Sequence, residues 1–130
     1  MAHEIELEYT DRKLNKREEV WYRRRRSAWF LAAKLGDVTQ ESYDKAFALL
    51  NSCKNVSLGF QRCDEIENES NWKRVDAKRD KLIKRMDKLN DELRPYGCHM
   101  QRAWSIEDVY DYDFETHTPL NESGYLHFFD

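Results

Sequence analysis

Four consecutive arginines, Arg23–Arg26, stand between aromatic pairs in the stretch Trp21–Phe30 (WYRRRRSAWF), and no other feature limits the fold so sharply. Successive residues of an α-helix turn by about 100°, so the four side chains fan over about 300° and cannot share one face. Some of them must point toward the rest of the protein. On the same wheel Leu14, Trp21, Ala28, Ala32 and Leu35 form one stripe, with Trp29 and Leu31 on its flanks. Arg25 falls inside that stripe and Arg24 beside it. A guanidinium left unpaired in a helix interface costs on the order of 3–5 kcal/mol, so a carboxylate or a phosphate is expected to meet it. Arg24 and Arg25 are therefore expected to hold the fold, leaving Arg23 and Arg26, with Trp29 nearby, to meet a partner.

A chain of 130 residues supports one ordinary core, so a single domain over 1–130 is expected. Charged residues make up 36% and aromatic ones 13%, with four Gly and two Pro, which fits a helical domain with solvated outer faces and not a disordered tail. The net charge of −3 argues against a dedicated duplex-binding domain, which needs a basic excess. That sum conceals an asymmetry. Trp104–Asp130 holds seven acidic residues and no Lys or Arg, whereas Lys73–Arg102 holds ten basic residues against five acidic. The acidic end either neutralises the basic middle within the chain or imitates nucleic acid for a basic partner protein. Nothing reads as a signal peptide and no apolar run approaches the ~20 residues that cross a bilayer, so a cytoplasmic protein with no membrane partner is expected.

His3–Tyr9 alternates, with Glu4, Glu6 and Glu8 on one side and His3, Ile5, Leu7 and Tyr9 on the other, which predicts a half-buried strand. Its expected partners are Tyr125–Phe129 and Cys98–Trp104, in a small sheet joining the two ends of the chain. Thr10 or Asp11 is positioned to cap a first helix over about 11–35, stopped by Gly36. A second helix over about 40–66 follows Thr39, with Tyr43, Ala46, Phe47, Leu50, Cys53, Val56, Phe60 and Cys63 at three-and-four spacing. After the polar corner Glu67–Asn71, where Ser70 is a candidate cap, a third helix runs over about 71–93. Its narrow stripe of Trp72, Val75, Leu82, Ile83, Met86, Leu89 and Leu93 reads as a coiled-coil seam against the second helix, an antiparallel hairpin. Pro95-Tyr96-Gly97 ends it. Residues 98–130 are a mixed acidic and aromatic region in which 105–116 reads equally as short helix or strand and Thr118–Gly124 reads as a loop. The fold class is thus α+β and mainly helical: three helices with a small sheet of N-terminal and C-terminal strands.

Chemistry-bearing clusters are few. Asp111, Asp113 and Glu115 share one face of a strand, with Tyr110, Tyr112 and Phe114 nearby and His117 just beyond; hard oxygen ligands of this kind hold Mg²⁺ or Mn²⁺ in metal-dependent nucleases. No Lys or His with a defined proton-handling spacing accompanies them, and an acidic, aromatic ridge over Asp108–Glu115 that binds protein accounts for the same residues. Cys98 and His99 could be combined with Cys53, Cys63 or His117 into a zinc set, but Cys53 and Cys63 lack ligand-pair spacing, and buried thiols as small apolar fillers are the simpler reading. No nucleophile elbow, phosphate loop or dinucleotide fingerprint is present, so neither an enzyme nor a cofactor is expected.

These features point to a non-enzymatic binding protein acting stoichiometrically on a macromolecular partner, of the kind that phages and mobile elements use to inhibit host nucleic-acid-processing systems, as anti-CRISPR and anti-restriction proteins do. The expected partner-binding residues are Arg23, Arg26, Trp29, Asp108, Tyr110, Asp111, Tyr112, Asp113 and Glu115. Two alternatives remain in play: binding of RNA or single-stranded DNA by the arginine and aromatic helix, and the metal-dependent nuclease.

Overall fold

In the computed structural model the described residues are 3–8, 10–100, 112–113, 118–119 and 126–128, with the side chains of Val20, Arg23 and the three segments after residue 100 outside the description. Among the described residues the fold is mainly helical, with three α-helices, α1 (Lys16–Ala33), α2 (Gln40–Ile66) and α3 (Trp72–Leu93).

The first helix begins later than Thr10 or Asp11 would set it. Asn15 is its N-cap: the side chain accepts from the Glu18 amide at 2.9 Å, and the Glu18 carboxylate accepts from the Asn15 amide at 3.4 Å. This reciprocal pair satisfies two amides that the first turn leaves without helical partners. A similar box opens α2, where Thr39 accepts from the Ser42 amide and Ser42 accepts from the Thr39 amide. The corner before α3 is closed by Asn68 and Asn71 and not by Ser70. Asn68 Oδ1 accepts from the amides of Ser70 and Asn71, while Asn71 Oδ1 accepts from the Asn68 amide at 2.7 Å. After α3 a single 3₁₀ turn, Arg94–Tyr96, leads to Gly97 at φ +75°, a left-handed conformation that glycine adopts without steric cost.

The α2–α3 hairpin is antiparallel: Gly59 faces Leu82 and, further along α2, Asp64 and Glu67 meet Arg79. A Cβ on Gly59 would lie 2.8 Å from Leu82 Cδ2, so the glycine admits this close approach. The main core joins Ala28, Leu31 and Ala32 of α1 and Val38 to Ala46, Leu49, Leu50, Cys53, Val56 and Phe60 of α2, and to Leu89, Leu93, Tyr96, Cys98 and Met100. Cys63 and Val75 are buried but stand apart from that cluster. At about 1.5 Å per residue, the 27 residues of α2 reach well past the 18 of α1, so the far end of the hairpin projects beyond the first helix.

Among the described residues 3–8 the expected N-terminal strand is not formed. Instead, His3–Glu8 makes a strap over the α1–α2 connection. The amides of Glu4 and Ile5 donate to Val38 O at 2.8 and 3.3 Å, His3 Nδ1 accepts from the Val38 amide at 2.8 Å, and the Glu4 carboxylate accepts from the Gln40 amide at 3.2 Å. The alternation reflects one-sided burial of Ile5, but the backbone groups bend to meet a loop where a strand would have to continue straight. The predicted sheet between the chain ends is therefore corrected. The two segments expected to pair with the N-terminal strand pair with each other instead: Cys98–Met100 runs antiparallel to Leu126–Phe128, with Cys98 opposite Phe128, and a second short pairing joins Tyr112–Asp113 antiparallel to Thr118–Pro119. Asn90 fixes the first of these strands to α3, its Oδ1 accepting from the Met100 amide at 2.6 Å.

Candidate functional site

The arginine run lies on α1 as expected, and Arg24, Arg25 and Arg26 are placed by the strap and by α2. Arg25 reaches Glu8 of the strap at 2.7 Å, with the two side chains 39% and 38% exposed. It is thus a surface pair and not a buried one, and the expected burial of Arg25 is corrected. The α1 stripe is covered unevenly, with Leu14 and Arg25 half-buried and Ala28 and Ala32 fully buried. Trp21, inside that stripe, remains 50% exposed, and Leu35 equally so.

Trp21 is the centre of a built surface. Its ring meets Phe47 of α2 edge-on at 6.4 Å between centroids, and Phe47 in turn packs against Tyr43. The Arg24 guanidinium lies 4.9 Å from the Phe47 ring centroid and 5.8 Å from that of Trp21, and the Arg25 guanidinium lies 5.9 Å from Trp21. Each separation is within the range at which a cation is attracted to an aromatic face. Two open hollows flank Trp21. One, of about 650 Å³, is lined by Arg12, Arg17, Glu18, Tyr22 and Arg24; the other, of about 390 Å³, by Arg25, Tyr43, Asp44, Phe47 and Asn51. Arg12 is fixed by a hydrogen bond to Glu18, whose carboxyl is held below its usual range by that bond.

Of the residues expected to meet a partner, Trp29 is engaged within the fold. Its indole N–H donates to Ile5 O at 2.6 Å, and its ring packs on His3 and Phe30. Arg26 lines a cavity of about 120 Å³ under the strap with Glu6, Glu8 and Trp29, its guanidinium 5.9 Å from the Phe30 ring. The side chain of Arg23 lies outside the description, as do Asp108, Tyr110, Asp111 and Glu115. Tyr112 and Asp113 are placed by backbone alone, opposite Pro119 and Thr118. The structure thus brings Arg24, Arg25 and Trp21 together, while the side chains of the acidic ridge, with its metal-site alternative, lie outside the description. Among the described residues no three His, Cys, Asp or Glu gather as a metal site. Cys53, Cys63 and Cys98 are buried free thiols, and burial pushes both Cys53 and Cys98 up to about 12.

Sequence reasoning missed Arg79. It occupies the α3 seam itself, in the four-three-four-three-four series Val75, Arg79, Leu82, Met86, Leu89, Leu93, and its side chain is 16% exposed. Three carboxylates satisfy it: Asp64 at 2.9 Å, Glu67 at 2.8 Å and Asp76 at 2.9 Å. The signal was an arginine at a seam position with two carboxylates in the last turn of the facing helix. Trp72 and Ile83, placed in the seam by pattern, are instead largely exposed on its outer flank.

Compared with family models, curated proteins and solved structures, the chain matches none of them.

Proposed function

We propose that this chain is a non-enzymatic binding protein that acts stoichiometrically on a protein partner through the surface centred on Trp21. The observation that carries the reading is a half-exposed tryptophan between two open hollows, with Arg24 and Arg25 laid against the surrounding rings. Tryptophan and arginine dominate the binding energy of protein interfaces, and side chains ordered before association lose less freedom on binding. The complementary partner surface offers carboxylates to the arginines and an apolar recess to the indole. In the finer form of the proposal, the partner is a nucleic-acid-processing system and the chain is an inhibitor of the phage or mobile-element type, of anti-CRISPR or anti-restriction character. The acidic ridge Asp108–Glu115 would then dock on the basic surface of that system.

The experiment is purification of the tagged chain with its partner from the native host, followed by the same pull-down with Trp21→Ala and Arg24→Ala together. Loss of the complex by at least about tenfold in affinity, with an unchanged melting temperature, is the expected result. Retention of full affinity in the double variant would sink the Trp21 assignment.

A second reading has its own support. The larger hollow combines three arginines with the rings of Trp21 and Tyr22, the pairing of cations and stacking platforms that single-stranded RNA or DNA occupies. Binding to a labelled oligonucleotide that falls steeply with salt and disappears in Arg17→Ala with Arg24→Ala would favour this reading over a protein partner.

A further inference from the structure

We propose that a groove on the projecting end of the α2–α3 hairpin is a docking site for an acidic, amphipathic helical segment of a partner protein. This surface is separate from the one around Trp21. Its floor is aliphatic, made by Gly59, Cys63, Ile66 and Leu82, and its rim is entirely cationic, made by Arg62, Lys78, Lys81 and Arg85, around a hollow of about 360 Å³. Ile66 is 42% exposed at its mouth. The missing side chain at Gly59 lowers the floor on the α2 side, and Leu82 closes it from α3.

The charge of the rim follows from the way Arg79 divides the seam. Acidic residues are plentiful nearby in sequence, with Asp64, Glu65, Glu67, Asp76 and Asp80 all within the same span. At about 100° per residue, Lys78, Lys81, Leu82 and Arg85 fall on one flank of the buried α3 stripe, and Arg79 and Asp76 on the other. On α2, Gly59, Arg62 and Ile66 likewise fall on one flank, with Asp64 on the far side of the seam. Arg79 draws Asp64, Glu67 and Asp76 to its own flank. The groove flank keeps its cations without carboxylates, and none of the four rim cations forms an ion pair with a described residue.

The occupant follows from the chemistry of floor and rim together. An apolar recess of aliphatic side chains takes leucine, isoleucine or methionine, and it contains no aromatic ring on which a nucleobase would stack. Cations on both edges favour carboxylates flanking the inserted side chains. Gly59 to Ile66 spans about two helical turns, the length over which an amphipathic helix presents two or three anchors at i, i+3 and i+4. A helix with leucines on one face and glutamates beside them meets all of these conditions.

The test uses the full chain and a fluorescein-labelled helical peptide with leucines on one face and glutamates on its flanks, titrated by anisotropy. Binding is expected, at least about tenfold tighter than for the same peptide with lysines replacing the glutamates. Lys81→Glu with Arg85→Glu is expected to weaken it by about tenfold or more, and Ile66→Ser to weaken it measurably. If the charge reversal impairs folding, seen by circular dichroism, Arg62→Gln with Lys78→Gln serves in its place. Trp21→Ala should leave peptide binding intact, so failure here is separable from failure of the Trp21 surface. Equal affinity for the glutamate and lysine peptides would overturn the proposal. So would loss of binding in Trp21→Ala, or self-association or RNA binding that depends on Lys81 and Arg85 while the peptide does not bind.

Discussion

Replacing Arg25 by alanine removes an ion pair with Glu8 in which both side chains are more than a third exposed, and pairs of that kind contribute about 0.2–1 kcal/mol. Arg25→Ala is therefore expected to lower stability in urea melts by less than about 1 kcal/mol. By contrast, Leu93, wholly buried at the end of α3, should cost about 2–5 kcal/mol on replacement by alanine, since a cavity opens in the main core. Burial also governs the thiols. With Cys53 and Cys98 both raised to about 12 by desolvation, neither carries appreciable thiolate near pH 8. Neither is expected to react with a thiol reagent until denaturant is added, which a colorimetric thiol assay with and without guanidinium will show. The helical wheel of α1 placed Arg25 inside the apolar stripe but could not give its burial, because burial depends on which neighbouring segments pack on that face, here the strap that brings Glu8 to it. Arg79 is not evident in the sequence because an arginine at a seam position is told from a solvated one only by its carboxylate partners, and Asp64 and Glu67 come from another part of the chain.

At the scale of elements, the strap and the hairpin end depend on a few polar contacts. Trp29→Phe keeps most of the ring packing but removes the donor to Ile5 O, a loss of about 1 kcal/mol, and faster amide exchange at Val38 and Gln40 would report the loosened strap. The projecting end of the hairpin has only Cys63 and Val75 buried apart from the main core, so Arg79 is its main tie. The Arg79 guanidinium, by hydrogen bonding first of all, holds the Glu67 carboxyl below its ordinary value. A carboxyl lowered in the folded state adds stability above the unfolded carboxylate range, and that contribution is lost as pH falls through the folded value. Arg79→Leu is therefore expected to melt below the native chain near pH 7, with the gap narrowing once the pH drops under about 4. A gap that stays constant across that range would contradict the assignment. The helix α2 was legible because the Thr39 cap and three-and-four spacing are local properties, and α3 by its spacing alone. The strap was not, since alternation records which side is buried and not what the backbone bonds to.

For the molecule as a whole, sequence alone sufficed for a mainly helical fold but not for the pairing of Cys98–Met100 with Leu126–Phe128, which joins segments far apart in the chain. Of the candidate site, the concentration of arginine and tryptophan on α1 was visible in the sequence. The roles within it were not, because Phe47 and Tyr43 come from another helix and only packing brings them beside Trp21. The Trp21 surface and the hairpin groove share α2 but draw on different partner helices, so substitutions in one should leave binding at the other nearly additive. Arg79 also bears on how the hairpin is aligned. A single polar residue within an otherwise apolar seam makes every slipped register of the two helices expensive, since sliding by a turn would strand the guanidinium away from Asp64 and Glu67 and drive Leu82 off Gly59. One charge thus selects one alignment from several that hydrophobic spacing would allow, and it sets the distance at which Arg62 of one helix stands from Lys78 and Lys81 of the other.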